Sequence, residues 1–479
     1  MRIAVTHQRI DLDAASCIWW LEKTANINEV FFTGKDVVPA EDVEKIRRGR
    51  EIEEIIFADC HPSDDVLKLE KIKKVSTYDH HQVQSQAEKS SFELLVERRG
   101  STGFDSEKLQ RWIALVHHSD LKPADTDMDI QRTLKKRIPL ILNGDDHLAY
   151  KEWFMPLVNS FFHNPKNIAR GQKIFQKAIL QFLLTNGSCP ARRILEKWSA
   201  KLIHLDKISN SSIRNMFHYV SHMDEKMARE WLDLTLRAVD AKQAQFERAK
   251  EEFKNSDIDL FGKTLVVSQI TSNCDFSEVA RYLIKKHIAC VKNGKTSIEE
   301  KQEIEAVPAK IKETITSKAD PWFIIQVHPE KKHFQIFGGG GGDKTQQAIL
   351  RELVQSIRVE VLKNRRKSIP TNRGKLSQPE TLEGTEPLYF HCKDTGFPQI
   401  LWGSETRPDV GPAFVFGKTS REIKQNLVNI AKMVIDKYYL QRECNPNTCS
   451  YCMIDPWQLQ KCAVQRKLVR GRMYPPGQV

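Results

Sequence analysis

The segment Val75-Ser76-Thr77-Tyr78-Asp79-His80-His81-Gln82 places one acid and two imidazoles directly after a short strand-forming run. Ile72 and Val75 supply its apolar lead-in, and the β-branched and aromatic residues that follow favour a strand. Polar side chains that follow such a strand lie where open α/β sheets bind their ligands. We therefore expect a metal site to be built around this segment.

Three further segments of the first quarter of the chain end in acids or histidines. They follow the predicted strands Arg2–Thr6 and Glu54–Ala58 and a predicted helix through Trp112–Val116. Their polar residues are His7, Asp11, Asp13, Asp59 and the run His117-His118-Ser119-Asp120. Closely spaced strands separated by charged helical stretches, here predicted at 40–50 and 65–69, predict βαβ units and a parallel sheet. A lone aspartate in such a loop is usually a helix cap, so the prediction depends on the whole set.

The residue types indicate the metal and the chemistry. Carboxylate oxygens with a few imidazoles suit Mn²⁺, or Mg²⁺ where histidine contributes less. Crowded carboxylates repel one another, and two divalent ions about 3.5–4 Å apart would neutralise them and hold a bridging hydroxide. Such a hydroxide is suited to in-line attack on phosphorus.

The pattern His7-x3-Asp11-x-Asp13, then Asp59 after an apolar strand, then Asp79-His80-His81, resembles the DHH phosphoesterase family. That family includes RecJ-type single-strand exonucleases, oligonucleotide and cyclic-dinucleotide phosphodiesterases, exopolyphosphatases and family II pyrophosphatases. The segment Ser90–Leu95 is also similar to the helix that follows the family's central motif. The resemblance covers about the first 130 residues and is weaker beyond them.

The resemblance implies two cation sites. The first would be formed by His7, Asp11 and Asp59. The second would be formed by Asp13, His80, Asp120 and, as a bridge, Asp59.

Two residues of the central motif receive catalytic roles from the resemblance. His81 would face the scissile phosphate, and Asp79 would act mainly by orienting a histidine. The setting of Asp120 departs from the usual fourth motif, so His117, His118 and Asp125 compete for its place. We expect His61 and His117 to be surface or structural histidines.

The rest of the chain divides into helical and α/β parts. Residues from about 149 to 255 show helical apolar spacing, and strands are predicted at Thr264–Ser268, Trp322–Val327 and His333–Phe337. We predict a catalytic domain at residues 1–220, a connector helix at 221–257, a smaller α/β substrate-binding domain at 258–365 and a basic C-terminal region at 366–479.

Five glycines, Gly338–Gly342, follow the last of these strands and precede a predicted helix. Backbone N–H groups in such a run can approach an anion. The run resembles the glycine-rich segment of the substrate-binding domain that follows many DHH domains. That resemblance implies substrate contacts from Gly340, Gly341, Gly342 and Lys344. Asp343 stands where the family has a histidine. It also argues against a Walker A loop, which needs a glycine directly before Lys-Thr. The alternative to an anion-binding loop is that the glycines form only a flexible turn.

Four of the ten cysteines cluster near the end of the chain: Cys444, Cys449, Cys452 and Cys462. Their spacing suits a zinc site, and an iron–sulfur cluster or no metal are the alternatives. A bound metal would stabilise this small region, which lacks a large core. The basic residues from Arg466 to Arg472 would then contact a nucleic-acid backbone.

Composition narrows the functional class. The chain has 479 residues and a net charge of +12, with a pI near 9.1. The charge by itself fits a solvated basic surface as well as a nucleic-acid partner; combined with the predicted site, it favours nucleic acid. No apolar run is long enough for a membrane helix, no signal peptide is evident, and the cysteine pattern indicates a reducing cytoplasm.

The combined prediction is a cytoplasmic, Mn²⁺-dependent phosphodiesterase that degrades single-stranded DNA or RNA exonucleolytically. One alternative substrate is a small phosphate compound: a linear or cyclic dinucleotide, or polyphosphate. Another alternative is a nucleic-acid- or protein-binding subunit of a larger nuclease assembly, for which the C-terminal region suggests the contact.

Overall fold

A computed structural model describes residues 1–8, 10–34, 37–80, 89–100, 103–121, 138, 141–202, 211–293, 298–315, 320–338, 344–370, 373–378, 380–391, 399–403 and 411–443. The chain divides into two compact units, Met1–Gln245 and Phe246–Val479. Among the described residues, no helix combines the length and the apolar character needed to cross a bilayer.

The N-terminal unit contains the predicted parallel sheet. Its strands are β1 (Arg2–His7), β2 (Glu29–Thr33), β4 (Glu54–Ala58) and β6 (Val75–Tyr78), in the order β2-β1-β4-β6. All three pairings are parallel, so the carboxyl ends of β1, β4 and β6 lie side by side at one edge. Strand β2 is absent from our predictions, and β3 (Val37–Val38) with β5 (His61–Pro62) forms a separate two-stranded pair.

Helices pack with the sheet of the N-terminal unit into its apolar cores. The first four are α1 (Leu12–Thr24), α2 (Ala40–Arg47), α3 (Ser91–Arg99) and α4 (Ser106–Leu121). The later ones are α5 (Asp146–Ala149), a π-helical turn (Tyr150–Phe154), α6 (Met155–His163), α7 (Ile168–Thr185), α8 (Arg192–Leu202), α9 (Ser211–His222) and α10 (Glu225–Lys254), whose last residues belong to the C-terminal unit. Large aromatic residues of α1 and α4, such as Trp19, Trp20 and Trp112, are fully buried in the shared core. Where we predict a helix at 65–69, the structure has one 3₁₀ turn, Val66–Lys68.

The C-terminal unit is built on a seven-stranded sheet. The strands are β7 (Asp257–Phe261), β8 (Thr264–Ile270), β9 (Trp322–Val327), β10 (Phe334–Gly338), β11 (Glu380–Thr381), β12 (Leu388–His391) and β13 (Gln399–Trp402). Their order is β11-β12-β13-β10-β9-β8-β7, with β8 and β9 parallel and the other neighbours antiparallel. The boundary that we predict at residue 365 therefore divides a single sheet.

Two groups of helices pack on this sheet. Helices α14 (Lys344–Asn364) and α15 (Ser420–Glu443) bury their apolar sides on one face. Helices α11 (Phe276–Asn293), α12 (Ile298–Glu305) and α13 (Ala309–Thr314) form a second apolar core on the other face, beside β8 and β9.

Candidate metal centre

The edge formed by the carboxyl ends of β1, β4 and β6 collects the polar residues of the N-terminal unit. His7 is the last residue of β1, Asp59 follows β4, and Asp79 and His80 follow β6. Adjacent parallel strands necessarily deliver their following residues to the same edge. Helix α1 begins at this edge as well and brings two more aspartates.

The first donor set comprises His7, Asp11 and Asp59, whose ligand atoms lie within 4.8 Å of one another. His7 Nδ1 donates to the carbonyl of Gln8 at 2.8 Å, which leaves Nε2 facing Asp59 Oδ2 at 3.0 Å and Asp11 Oδ1 at 3.8 Å. Asp11 caps α1, because its Oδ1 accepts from Ala14 N at 3.0 Å. Its other oxygen takes no part in that bond.

A positive charge stabilises this first set. Burial opposes protonation of His7, but the hydrogen bond to Asp59 and the charges of Asp11 and Asp59 outweigh burial and raise the pKa of His7 from 6.5 to about 10. An imidazole nitrogen that faces two carboxylates thus holds a proton, and a divalent cation would satisfy the same carboxylates.

The second donor set comprises Asp13, His80 and Asp120. The two Asp13 oxygens accept from the backbone N–H groups of Phe92 and Ser91, each at 2.8 Å, so the N-terminus of α3 holds this carboxylate in place. Asp120, near the end of α4, places Oδ2 at 3.5 Å from His80 Nε2. Its neighbour His117 instead pairs with Glu93 at 3.2 Å.

Ser91 links the two sets, and our sequence analysis assigns it no role. Its hydroxyl donates to Asp59 Oδ1 at 3.0 Å, so it can only accept from His80 Nδ1, also at 3.0 Å. His80 therefore carries its proton on Nδ1 and presents the Nε2 lone pair toward Asp120. A buried serine at the start of a helix after the central motif is the signal that could have revealed this.

Asp59 lies between the two sets. One of its oxygens faces His7, and the other lies 3.5 Å from His80 Nδ1. It adopts a left-handed conformation, with φ of 55°, which aspartate tolerates better than most residues. Asp79 lies beside it in a third group with His80 and accepts from His61 Nδ1 at 2.8 Å. Asp79 therefore pairs with His61, which we expect to be a surface or structural residue.

The electrostatics of the cluster fit divalent cations. Burial raises the pKa of Asp13 well above 3.8, and the charges of Asp59, Asp120 and Asp11 raise it further. Four carboxylates that share a buried space repel one another, and cations relieve that repulsion directly. Carboxylate oxygens with imidazole nitrogens form the donor set that Mn²⁺ and Mg²⁺ accept.

Several predicted site residues lie outside the described residues: His81, Gly340, Gly341, Gly342, Cys444, Cys449, Cys452 and Cys462. Lys344 begins α14. The glycine contacts and the metal at the cysteine cluster, whether zinc or an iron–sulfur cluster, stay predictions.

Comparisons with known proteins give distant likenesses. No family model matches the chain, and no curated protein is similar to it. Among solved structures, it is similar to the pGpG-specific phosphodiesterase PggH from Vibrio cholerae, with 11% identity and a TM-score of 0.30 over 75% of this chain and 88% of that one. It is also similar to RecJ from Thermus thermophilus in complex with Mn²⁺, with 11% identity and a TM-score of 0.30 over 73% of this chain and 46% of that one.

A third similar structure is CDC45 from Entamoeba histolytica, with 9% identity and a TM-score of 0.27 over 91% of this chain and 95% of that one. Likenesses this distant leave the function to be argued from the residues of this chain.

Proposed function

We propose that this protein is a metal-dependent phosphodiesterase with two adjacent divalent cation sites. The observation that carries the proposal is the meeting of the two donor sets at one sheet edge, with Asp59 between them. The first cation would be held by His7, Asp11 and Asp59, and the second by Asp13, His80 and Asp120. Asp59 would be shared between them, because its second carboxylate oxygen lies 3.5 Å from His80 Nδ1.

Two such cations, Mn²⁺ or Mg²⁺, would activate a water molecule and offset the charge that develops on a phosphate during hydrolysis. The chain itself supplies rigid orientation. Backbone N–H groups hold both oxygens of Asp13, the Gln8 carbonyl fixes the His7 ring, and Ser91 fixes the protonation of His80. Donors held in this way do not need to reorganise when a cation binds.

We further propose that the substrate is single-stranded DNA or RNA and that cleavage is exonucleolytic. The net charge of +12 favours a polyanion over a small phosphate. A panel of 5′- and 3′-labelled oligomers, dinucleotides, cyclic dinucleotides and polyphosphate, each with Mn²⁺, discriminates the substrate classes. Turnover of the small compounds alone would replace the polymer proposal, and binding without any turnover would support a role as a binding subunit.

The variant Asp11→Asn tests the centre without disturbing the fold. Asparagine caps a helix as well as aspartate does, so α1 keeps its cap while the site loses one charge and one ligand oxygen. We expect turnover with Mn²⁺ to fall by at least about 100-fold. Asp145→Asn is the matched control, because Asp145 caps α5 through Leu148 N at 3.0 Å and belongs to neither donor set. Equal activity of the two variants would refute the assigned centre.

We also propose that the cysteine cluster holds zinc and contributes to contact with nucleic acid or with another protein. Metal analysis of Cys449→Ser tests this. Unchanged zinc and iron content would show that the cluster is not a metal site.

A further inference from the structure

The strands β10, β12 and β13 of the C-terminal unit differ sharply between their two faces. On one face every side chain is buried beneath α14 and α15: Phe334, Ile336, Leu388, Phe390, Ile400 and Trp402. On the other face, which we call the open face, every side chain is partly exposed: Gln335, Phe337, Tyr389, His391, Gln399 and Leu401.

The strand register arranges the open face in two rows. One row runs through Tyr389, Leu401 and Gln335 to the buried Gln326 on β9. The other runs through His391, Gln399 and Phe337 to the buried Ile324 on β9. Ile324 belongs to the core beneath α11, and Phe337 packs partly against that core. The open face therefore begins where the cover by α11 ends.

The side chains of the open face are of the types by which proteins bind unpaired nucleotides. Tyr389 and His391 lie side by side, with ring centroids 6.0 Å apart, and the Arg281 guanidinium lies 5.7 Å from the centroid of Phe337. Aromatic rings on a sheet stack on bases, a side-chain amide such as that of Gln399 forms hydrogen bonds with base edges, and cationic side chains bind the phosphates. A face with Leu401 as its single aliphatic member is poorly suited to an apolar protein partner.

We propose that the open face is a stacking platform for single-stranded nucleic acid, on which Tyr389 and Phe337 each contact one base. The inference rests on the proposed function only in taking a single-stranded polymer as the substrate. Strands β12 and β10 are separated by β13, and the two residues lie in different rows, so they are set about 10 Å apart across the strands and about 7 Å apart along them. A segment of a few nucleotides spans that distance, and the positive net charge of the chain favours its approach.

The test is the affinity of the full-length protein for a labelled poly-dT or poly-U oligonucleotide of about 16 nucleotides, measured by fluorescence anisotropy in EDTA. We expect Tyr389→Ala to weaken binding between about 5- and 150-fold, because one base loses its ring, and Tyr389→Phe to bind like the unmodified protein. Phe414→Ala is the matched control, since Phe414 is an aromatic residue of the same unit that is 54% exposed and lies outside the open face.

A second variant guards against a folding effect. Gln399→Glu keeps the shape of the side chain and places a negative charge in the middle of the open face, so we expect binding about fivefold weaker or more. Unchanged affinity in both Tyr389→Ala and Gln399→Glu would overturn the proposal, and so would an equal loss in Phe414→Ala.

Dinucleotide hydrolysis with Mn²⁺ separates this inference from the proposed function. If the unmodified protein binds the oligonucleotide but hydrolyses no substrate, the proposed activity fails while the Tyr389 comparison still decides the open face. If it binds no oligonucleotide at all, the platform is refuted.

Discussion

The Ser91 hydroxyl is a single group whose removal should weaken cation binding while leaving every predicted ligand in place. In Ser91→Ala, the buried His80 Nδ1–H and the buried Asp59 Oδ1 each lose a hydrogen-bond partner. The backbone N–H that Ser91 donates to Asp13 is unchanged, so the substitution isolates the side chain.

The size of the effect follows from this geometry. Leaving one buried polar group without its partner costs about 1–3 kcal/mol. Loss of a group that orients a metal-binding histidine typically lowers metal affinity about 10- to 100-fold, which is about 1.4–2.7 kcal/mol. The first value is a cost in folding stability and the second a loss of cation affinity, so we expect Mn²⁺ to bind about 10- to 100-fold more weakly to Ser91→Ala.

The assay is a Mn²⁺ titration by calorimetry, together with turnover as a function of Mn²⁺ concentration. Activity should largely recover at high Mn²⁺, because all predicted ligands remain. The matched control is Ser90→Ala, since Ser90 is also buried and caps α3 through Glu93 N at 3.2 Å, and within the described part of the chain its hydroxyl bonds none of the predicted ligands. We expect it to lose about 1 kcal/mol of stability and to bind Mn²⁺ normally. Equal Mn²⁺ affinities for the two variants would refute the orienting role of Ser91.

Three other expectations concern the N-terminal unit. Gly171→Ala should destabilise it by about 1–3 kcal/mol, because a Cβ there would lie 2.8 Å from Ser221 Cα, whereas Gly187→Ala meets no atom within 4 Å and should leave chemical denaturation unchanged. Burial lowers the pKa of His222 below its usual 6.5, so the unfolded chain binds this proton more tightly than the folded chain does. The free energy of unfolding should therefore fall as the pH drops below about 6.5, by at most about 1.4 kcal/mol per pH unit. Urea titrations of His222→Gln should lack this part of the pH dependence. Mn²⁺ at 100 times its Kd should add about 2.7 kcal/mol to the unfolding free energy relative to EDTA, and a thermal shift as large in Asp11→Asn would contradict the assigned ligands.

Much of the fold was predictable because its signals are local. Apolar β-branched runs predict β1, β4 and β6, and the spacing between them predicts parallel pairing, which the structure confirms. Strand β2 was missed although Val30-Phe31-Phe32 is a continuous apolar run. It is the edge strand of the sheet, and all its residues are only half-buried.

The extent of the C-terminal sheet was harder to predict from the sequence. Residues 366–402 contribute β11, β12 and β13 to the sheet begun by β7–β10, although the basic run near residue 365 suggested a separate region. A surface-exposed basic turn and a linker have similar compositions, and only strand pairing distinguishes them.

The sequence by itself identifies the candidate ligands. His7, Asp11, Asp13, Asp59 and His80 all follow strand-like runs or open a helix, and this pattern is visible without coordinates. Parallel strands deliver their ends to one edge, so these side chains had to meet wherever the sheet formed. The tertiary structure alone decided which partners complete them. Ser91 on α3 and Asp120 on α4 reach His80 because two helices happen to end and begin beside it. Such contacts depend on how helices from distant segments pack, and residue spacing along the chain does not fix that packing.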